Sequence, residues 1–487
     1  MASAIKNSMY YGLGSIIRAM TSFFLLPIYA NILGTSQYGT LNLLQTFSTI
    51  LAPIMTLSIE KSIYRLYFDC KNDIDKKIFL STVFWTIIIT GVIVLISCIF
   101  LSHLIVPYLG NVDAFSVLMP VVVYTFLSAL ITFCQILLQT QQRGAFYFII
   151  SILVLFFYNS LALYLLFYWS PTYRSEVYAC LISYLLVLPI AFCTIHRHIG
   201  FFFDRNILGK VFSFTFPLFI MSMFSWILSA SDRVFIANYQ DTSAVGLYSM
   251  AFKLVSMGVI VVGSIKQAFD PYFFNIVNTL DKTIATKRVK PVIDSMVLIT
   301  SILFFGILVF GKWFVIFFLN EEFTACLPYL FFLVISSLFA QQSTVLNVMI
   351  LQQKKTKVLS MITICSGIGS LILNYSLIPL FGALMAAVNS MLIGLVMFLV
   401  TWYEAKNAYY IPINFNNIVL IVLLMAISFV SDMYIYNIFA EILIKLVLLI
   451  ACPILLYKTN IVTCPSIGII LHRLVNKTKM TQWFLDN

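Results

Sequence analysis

Apolar runs of about 17–25 residues recur along the whole chain, each long enough to cross ~30 Å of hydrocarbon as a helix. They predict membrane helices over roughly 9–33, 41–60, 78–102, 114–138, 146–168, 177–195, 212–237, 246–267, 292–311, 326–350, 358–378, 382–403, 417–436 and 441–457. That is about fourteen spans, or twelve and a variable tail. The first run contains Arg18 and has no small-x-small cleavage site, so it reads as a membrane helix and not a cleaved leader. The expected fold class is an all-α polytopic membrane protein. One six-helix lobe spans 1–200 and a second, parallel repeat spans 201–405, followed by two extra helices and a cytoplasmic tail over 406–487.

Composition narrows the class. Of the 487 residues, 61% are hydrophobic and 10% charged, and mean hydropathy is +1.01. A typical soluble domain carries about 25% charged residues and needs a polar exterior. An ordinary soluble enzyme, a disordered chain and a disulfide-rich module are all excluded. The net charge of +11 does not call for nucleic acid, because the cations separate by side. With the N-terminus in the cytoplasm, 23 of the 29 Lys and Arg fall in inside segments. Only Arg174 and Lys312 fall outside, while Arg18, Arg233, Lys253 and Lys445 lie within or at the edge of spans. Both termini are therefore expected in the cytoplasm. Lys445 is expected to snorkel towards the interface. The nine cysteines form no CxxC pair, and no cofactor or metal is expected.

An internal repeat is visible. Ala30-Asn31 and Thr35-Ser36-Gln37-Tyr38-Gly39 match Ala237-Asn238 and Thr242-Ser243-Ala244-Val245-Gly246 at an offset of 207, with five identities. Gln141-Gln142-Arg143 echoes Gln352-Gln353-Lys354 at an offset of 211. Six helices separate the copies, so both halves have the same orientation. Such parallel repeats belong to transporters whose substrate site lies between the halves.

Polar residues share faces at helical spacing on four paired helices. The first carries Tyr11, Ser15, Arg18, Ser22 and Tyr29; its partner, the seventh, carries Ser222, Ser225, Ser229 and Asp232. The second carries Asn42, Gln45, Thr46, Thr49, Thr56 and Glu60; its partner, the eighth, carries Ser249, Lys253, Ser256, Gly263 and Gln267. Small polar residues also glue membrane helices together, but a polar cavity accounts better for the long side chains. Arg18 lies ~15 Å from its helix's inner end, where facing lipid would cost at least ~2.5–3.5 kcal/mol. Arg18, Arg233 and Lys253 against Asp232 give the expected cavity an excess of positive charge, suited to an anion. A guanidinium fork in particular matches phosphate oxygens. Asp73-Ile74-Asp75 has a metal-binding DxD form but sits in a short charged loop, and no Walker A, GxSxG or HExxH motif is present. No catalytic constellation is found, and the chain is not expected to be an enzyme.

Lys6-Asn7-Ser8, Pro27-Ile28-Tyr29, Leu33-Gly34 and Tyr38-Gly39 resemble the N-terminal signature of the multidrug/oligosaccharidyl-lipid/polysaccharide exporter superfamily. The likeness is strongest to its Wzx-type flippases of bacterial O-antigen and capsule repeat units. Glu60 with Arg65 resembles the end of the family's second helix. Asp232-Arg233-Val234-Phe235-Ile236, with Val245-Gly246-Leu247-Tyr248 and Ala251, resembles its mid-chain signature. Asn374, Leu377-Ile378-Pro379, Gly382 and Ala386-Ala387 resemble a further segment. The resemblance covers most of residues 1–400, departs at Gln240-Asp241, where Leu-Gly is common, and ends before 404–487.

The resemblance implies two six-helix lobes, alternating access, and a bacterial inner membrane. It implies undecaprenyl-pyrophosphate-linked oligosaccharide as the substrate, with membrane lipid and other polysaccharide-assembly proteins as further partners. On this reading Arg18, Arg233 and Lys253 take the pyrophosphate, and Asn42, Gln45, Ser22, Ser225, Ser229 and Ser256 admit the sugars. Asp232, Glu60 and Arg65 are gating or coupling candidates, and the identity of a coupling ion, H+ or Na+ among the options, is left open by the sequence. A drug/cation antiporter of the same superfamily is the alternative; it would favour buried carboxylates, of which the stripes offer Asp232 and Glu60. A membrane sugar polymerase or transferase is a third reading.

Overall fold

The structure, a computed structural model, describes residues 2–409, 411, 416–434, 445, 447 and 448. Among them there are helices and no strands. The long helices are α1 (Ala2–Thr56), α2 (Asp73–Phe100), α3 (Met119–Thr140), α4 (Gly144–Tyr168), α5 (Tyr173–Cys193) and α6 (Arg205–Tyr239). They continue as α7 (Thr242–Thr279), α8 (Lys282–Phe318), α9 (Leu327–Gln352), α10 (Thr356–Phe381), α11 (Ala383–Ala408) and α12 (Asn416–Tyr434). Eleven of the described helices are long and apolar enough to cross a membrane, and α12 adds the shorter apolar stretch Ile418–Ser431. The chain is a multi-pass membrane protein. Because α1 holds two of the expected spans, the first thirteen all have a helix. The fourteenth, 441–457, lies outside the described residues apart from Lys445, Val447 and Leu448.

The expected loop between the first two spans is reduced to a kink at which the two helices of α1 meet. Helix geometry is interrupted within α1 at Gly34, with φ 67° and ψ 176°, a conformation open to glycine because it lacks a Cβ. At the matching position of the second copy stands Asp241, and there the chain does break. The Asp241 carboxylate accepts the Ala244 N–H at 2.7 Å, capping the start of α7. The departure from Leu-Gly thus replaces a glycine hinge with an N-cap. The second echo is also structural. Gln142, between α3 and α4, has φ 57°; Lys354, between α9 and α10, has φ 55°. Both halves turn through a left-handed residue within the echoed triplet, at its second position in the first copy and its third in the second.

The chain packs as two compact units. Unit 1 comprises Met1–Met250, Ile316–Cys326 and Thr363–Asn389; unit 2 comprises Ala251–Val315, Leu327–Ile362 and the described residues from Ser390 on. Unit 1 has a core of Leu80, Val83, Phe84, Phe133, Leu137 and Val187, drawn from α2, α3 and α5. In unit 2, Phe331 stacks on Phe429 with ring centroids 4.2 Å apart, and the buried Gln342 amide donates to Val297 O and Ser301 Oγ, each at 3.3 Å. Lys445 does not snorkel. It is 1% exposed and lies over the Trp313 ring at 6.0 Å, where the π face offsets part of the loss of water.

The two copies of the first repeat meet inside unit 1, related as in a two-fold. Thr35 Oγ1 and Ser243 Oγ share a hydrogen bond at 3.0 Å; Ser36 Oγ and Thr242 Oγ1 share its counterpart at 2.9 Å. The glycines explain the approach. A Cβ on Gly39 would lie 1.7 Å from Thr242 O, and one on Gly246 would lie 2.1 Å from Thr35 O. A self-complementary contact of this kind is what a two-fold axis between equivalent segments generates.

Candidate functional site

Unit 1 contains a cavity of about 590 Å³. Thr49, Pro53 and Thr56 of α1 line one side, then Ser58, Glu60 and Lys61 of the turn that follows. Ser128 and Thr132 of α3 and Ser222 and Ser225 of α6 complete the polar lining. The turn forms because Leu57 and Ser58 take left-handed conformations, with φ 50° and 53°, before the 3-10 helix Ile59–Ser62. That reversal places Glu60 and Lys61 in the cavity wall. Trp226 fixes α6 against α1, its indole N–H donating to Thr46 O and Thr49 Oγ1, each at 3.1 Å. The polar faces of the second and seventh expected spans are thereby brought to one cavity.

Lys61 is the cation of this cavity, and sequence reasoning missed it. Its Nζ donates to Ser222 Oγ at 2.6 Å. By sequence it counts among the inside-segment cations; its place one turn beyond a polar stripe and beside Glu60 is the available signal. Glu60 is buried, and its Oε2 has no hydrogen-bond partner among the described residues. Arg65, by contrast, is exposed and pairs with Asp69 at 2.6 Å, four residues along, rather than with Glu60. An exposed pair of this sort adds little.

The other expected residues are dispersed. Of the sugar candidates, only Ser225 lines the cavity. Ser229 and Gln45 are exposed, Ser22 is half-buried, and Asn42 donates to Tyr38 O at 2.8 Å. Arg18 is exposed on α1, away from the cavity lining. Lys253 and Ser256 belong to unit 2, where Ser256 Oγ donates to Lys253 O at 2.7 Å.

Asp232 and Arg233 sit in a buried polar network within unit 1. Asp232 accepts the Tyr248 hydroxyl at 2.5 Å and the Asn374 amide at 2.6 Å. The Asn389 amide in turn donates to Asn374 Oδ1 at 3.0 Å. Arg233 donates from Nε to Ser249 Oγ at 3.1 Å and from Nη1 to Ser229 O at 3.0 Å, with its guanidinium 5.9 Å from the Tyr248 ring centre. Two charges this deep persist only because hydrogen bonds replace their water. The mid-chain signature therefore ties α6 to α7, α10 and α11.

A second missed residue is Glu176, in the first turn of α5. It is 1% exposed and accepts the Tyr158 hydroxyl at 2.5 Å, and its other oxygen finds no partner among the described residues. It escaped notice because it directly precedes the apolar run. Among the described residues, no three His, Cys, Asp or Glu side chains come together as a metal site.

Comparison with known proteins agrees with the architecture. The model of the polysaccharide biosynthesis protein family matches residues 4–277, and the chain belongs to that family. The Lsg locus putative protein 1 of Haemophilus influenzae is 24% identical over 275 residues, 55% of this chain; the match spans 65% of that relative's length. Among solved structures, the lipid II flippase MurJ in an inward closed conformation superposes with a TM-score of 0.68 at 13% identity, covering 94% of this chain and 100% of that one. An inward-facing multidrug resistance MATE family transporter of the MOP superfamily gives 0.61 at 12% identity, covering 82% and 98%. These likenesses bear on fold: the chain has the helical membrane fold shared by MurJ and the MATE transporters.

Proposed function

We propose that this member of the polysaccharide biosynthesis protein family is a flippase. It would carry undecaprenyl-pyrophosphate-linked oligosaccharide repeat units across the bacterial inner membrane by alternating access, with both termini in the cytoplasm. The observation that carries the reading is the cavity of unit 1, whose wall combines apolar residues such as Ala52, Ala129, Leu218 and Met221 with a set of hydroxyls and Lys61. A head group must be kept from hydrocarbon while its lipid tail stays outside, and hydroxyls around a cation supply donors for sugar and pyrophosphate. Arg18 and Lys253 remain proposed further pyrophosphate contacts. Arg233, held in its network, serves this scheme as a support for α6. The proposed movement alternates opening and closure of the repeat contact at Gly39 and Gly246. Coupling to H+ or Na+ is assigned to Asp232, Glu60 and Glu176 as candidates.

The test is export of the lipid-linked glycan in cells whose own copy has been deleted. Lys61→Ala and Arg18→Ala should each abolish export at unchanged protein level, and Arg18→Lys should restore part of it. Normal export by Lys61→Ala would remove the cavity cation from the scheme. The second reading, a drug/cation antiporter, is favoured by the buried Glu60 and Glu176. It predicts gradient-driven efflux of a cationic dye.

A further inference from the structure

A second cavity of unit 1, about 300 Å³, lies apart from the first. It is lined by Tyr67, Asp73, Lys76, Lys77, Leu80, Arg197 and His198, at the start of α2 and in the turn after α5. Lys76 is tied to Asp73 at 3.0 Å and lies over the Tyr67 ring at 5.7 Å. Lys77 and Arg197 have no ion pair among the described residues. After Asp73 is matched by Lys76, two positive charges remain. His198 adds a buried Nδ1 with no hydrogen-bond partner among the described residues, and buried polar atoms are normally satisfied.

The surroundings are apolar in a particular way. After Ile199 and Gly200 the chain continues with Phe201, Phe202 and Phe203, at 92%, 47% and 54% exposure. Phe201 is held in place: Trp85 stacks on it at 5.4 Å, and the indole N–H donates to Gly200 O at 2.9 Å. A Cβ on Gly200 would come within 2.7 Å of the Phe202 ring and 3.2 Å of Lys77 Cε, so ring and cation flank the same backbone. Exposed apolar rings beside a cationic pocket at a helix end match the bilayer interface, with the rings entering the apolar layer and the cations reaching phosphates.

We propose that this cavity holds the phosphate of an anionic phospholipid, with Lys77 and Arg197 contacting the phosphate oxygens and the three phenylalanines lying against its acyl chains. Loops that merely carry positive charge need neither a cavity nor an aromatic rim packed by Trp85. The volume is at the lower end for small-ligand pockets, which suits a headgroup. The rings decide for a lipid over free phosphate, which would gain nothing from them.

The test is native mass spectrometry of the full chain released from bilayers of equal phosphatidylglycerol and phosphatidylcholine. The wild type should retain phosphatidylglycerol selectively. Lys77→Ala with Arg197→Ala should lower that retention about 30-fold; at tenfold per 1.4 kcal/mol this is about 2 kcal/mol, or ~1 for each cation near the surface. Lys77→Arg with Arg197→Lys should retain it, which separates lost charge from lost folding. Lys354→Ala with Lys355→Ala and Lys357→Ala, removing another basic turn, should leave it unchanged. Equal retention by the first double variant, equal loss in the triple variant, or displacement of the lipid by millimolar inorganic phosphate would each overturn the proposal.

Discussion

Replacing Gly39 by alanine should break the contact between the two repeat copies and leave their helices intact. The added Cβ would begin 1.7 Å from Thr242 O, and real Cβ atoms essentially never approach closer than 3.0 Å. The obstacle is backbone, so no rotamer relieves it; the segments must part by the difference, about 1.3 Å. The hydroxyl pairs at 3.0 and 2.9 Å would then exceed hydrogen-bond length. Two such bonds contribute ~1–3 kcal/mol together, and overpacking adds ~1–3. The gain in helix propensity on replacing glycine, about 1 kcal/mol, acts on the helix that contains Gly39 and not on the contact between the copies. The closed contact should lose ~2–6 kcal/mol, at least a 25-fold shift at tenfold per 1.4 kcal/mol. Oxidative cross-linking of Thr35→Cys with Ser243→Cys, in a chain whose native cysteines are replaced, reads the contact directly. Gly39→Ala should slow that cross-linking at least tenfold. Gly209→Ala, where a Cβ meets nothing within 4 Å, should not. Unchanged cross-linking in Gly39→Ala would refute the steric reasoning.

Other substitutions separate the remaining elements. Ser222→Ala should reduce export far less than Lys61→Ala, since the cation keeps its charge when its hydroxyl partner is lost; equal defects in an export assay would make Lys61 a purely structural residue. Asp232→Ala should lower stability by about 3–5 kcal/mol, the range for one member of a buried charged network, and a thermal-shift assay in detergent should show Asn374→Ala as milder. Asp113 accepts the Ser116 N–H at 2.6 Å ahead of α3, and that bond holds its carboxyl below the usual range. A depressed carboxyl contributes stability above its unfolded pKa and loses it as pH falls through the folded one. The melting difference between wild type and Asp113→Ala should therefore be present at neutral pH and close on acidification. Glu176→Gln should retain folding while slowing transport, if this carboxyl takes part in coupling; an unaltered rate across a pH series would exclude it.

Much of the fold was legible because the hydrocarbon layer imposes its length on every span. The repeat was legible too, down to the residues that touch: Thr35, Ser36 and Gly39 meet Thr242, Ser243 and Gly246. What periodicity could not convey was the path of the chain between spans. A polar seven-residue stretch reads as a loop, yet the break is confined to a kink at one glycine with positive φ. The cavity was half legible. Of the stripe residues, Thr49, Thr56, Glu60, Ser222 and Ser225 line the cavity. The stripes gave no sign that a left-handed turn after Thr56 would fold Lys61 back, or that Arg233 would be enclosed by Ser249 and Tyr248. Helical spacing ranks residues by face, and which neighbour covers a face is a tertiary fact.

The most direct test of the flippase claim uses the purified protein in liposomes loaded with lipid-linked oligosaccharide, following with time the glycan's accessibility to an impermeant sugar-modifying reagent. Protein-dependent movement between leaflets, lost in Lys61→Ala and in Arg18→Ala, is the expected result. No movement with or without an ion gradient, together with gradient-driven efflux of a cationic dye, would contradict the flippase account and leave the antiporter in its place.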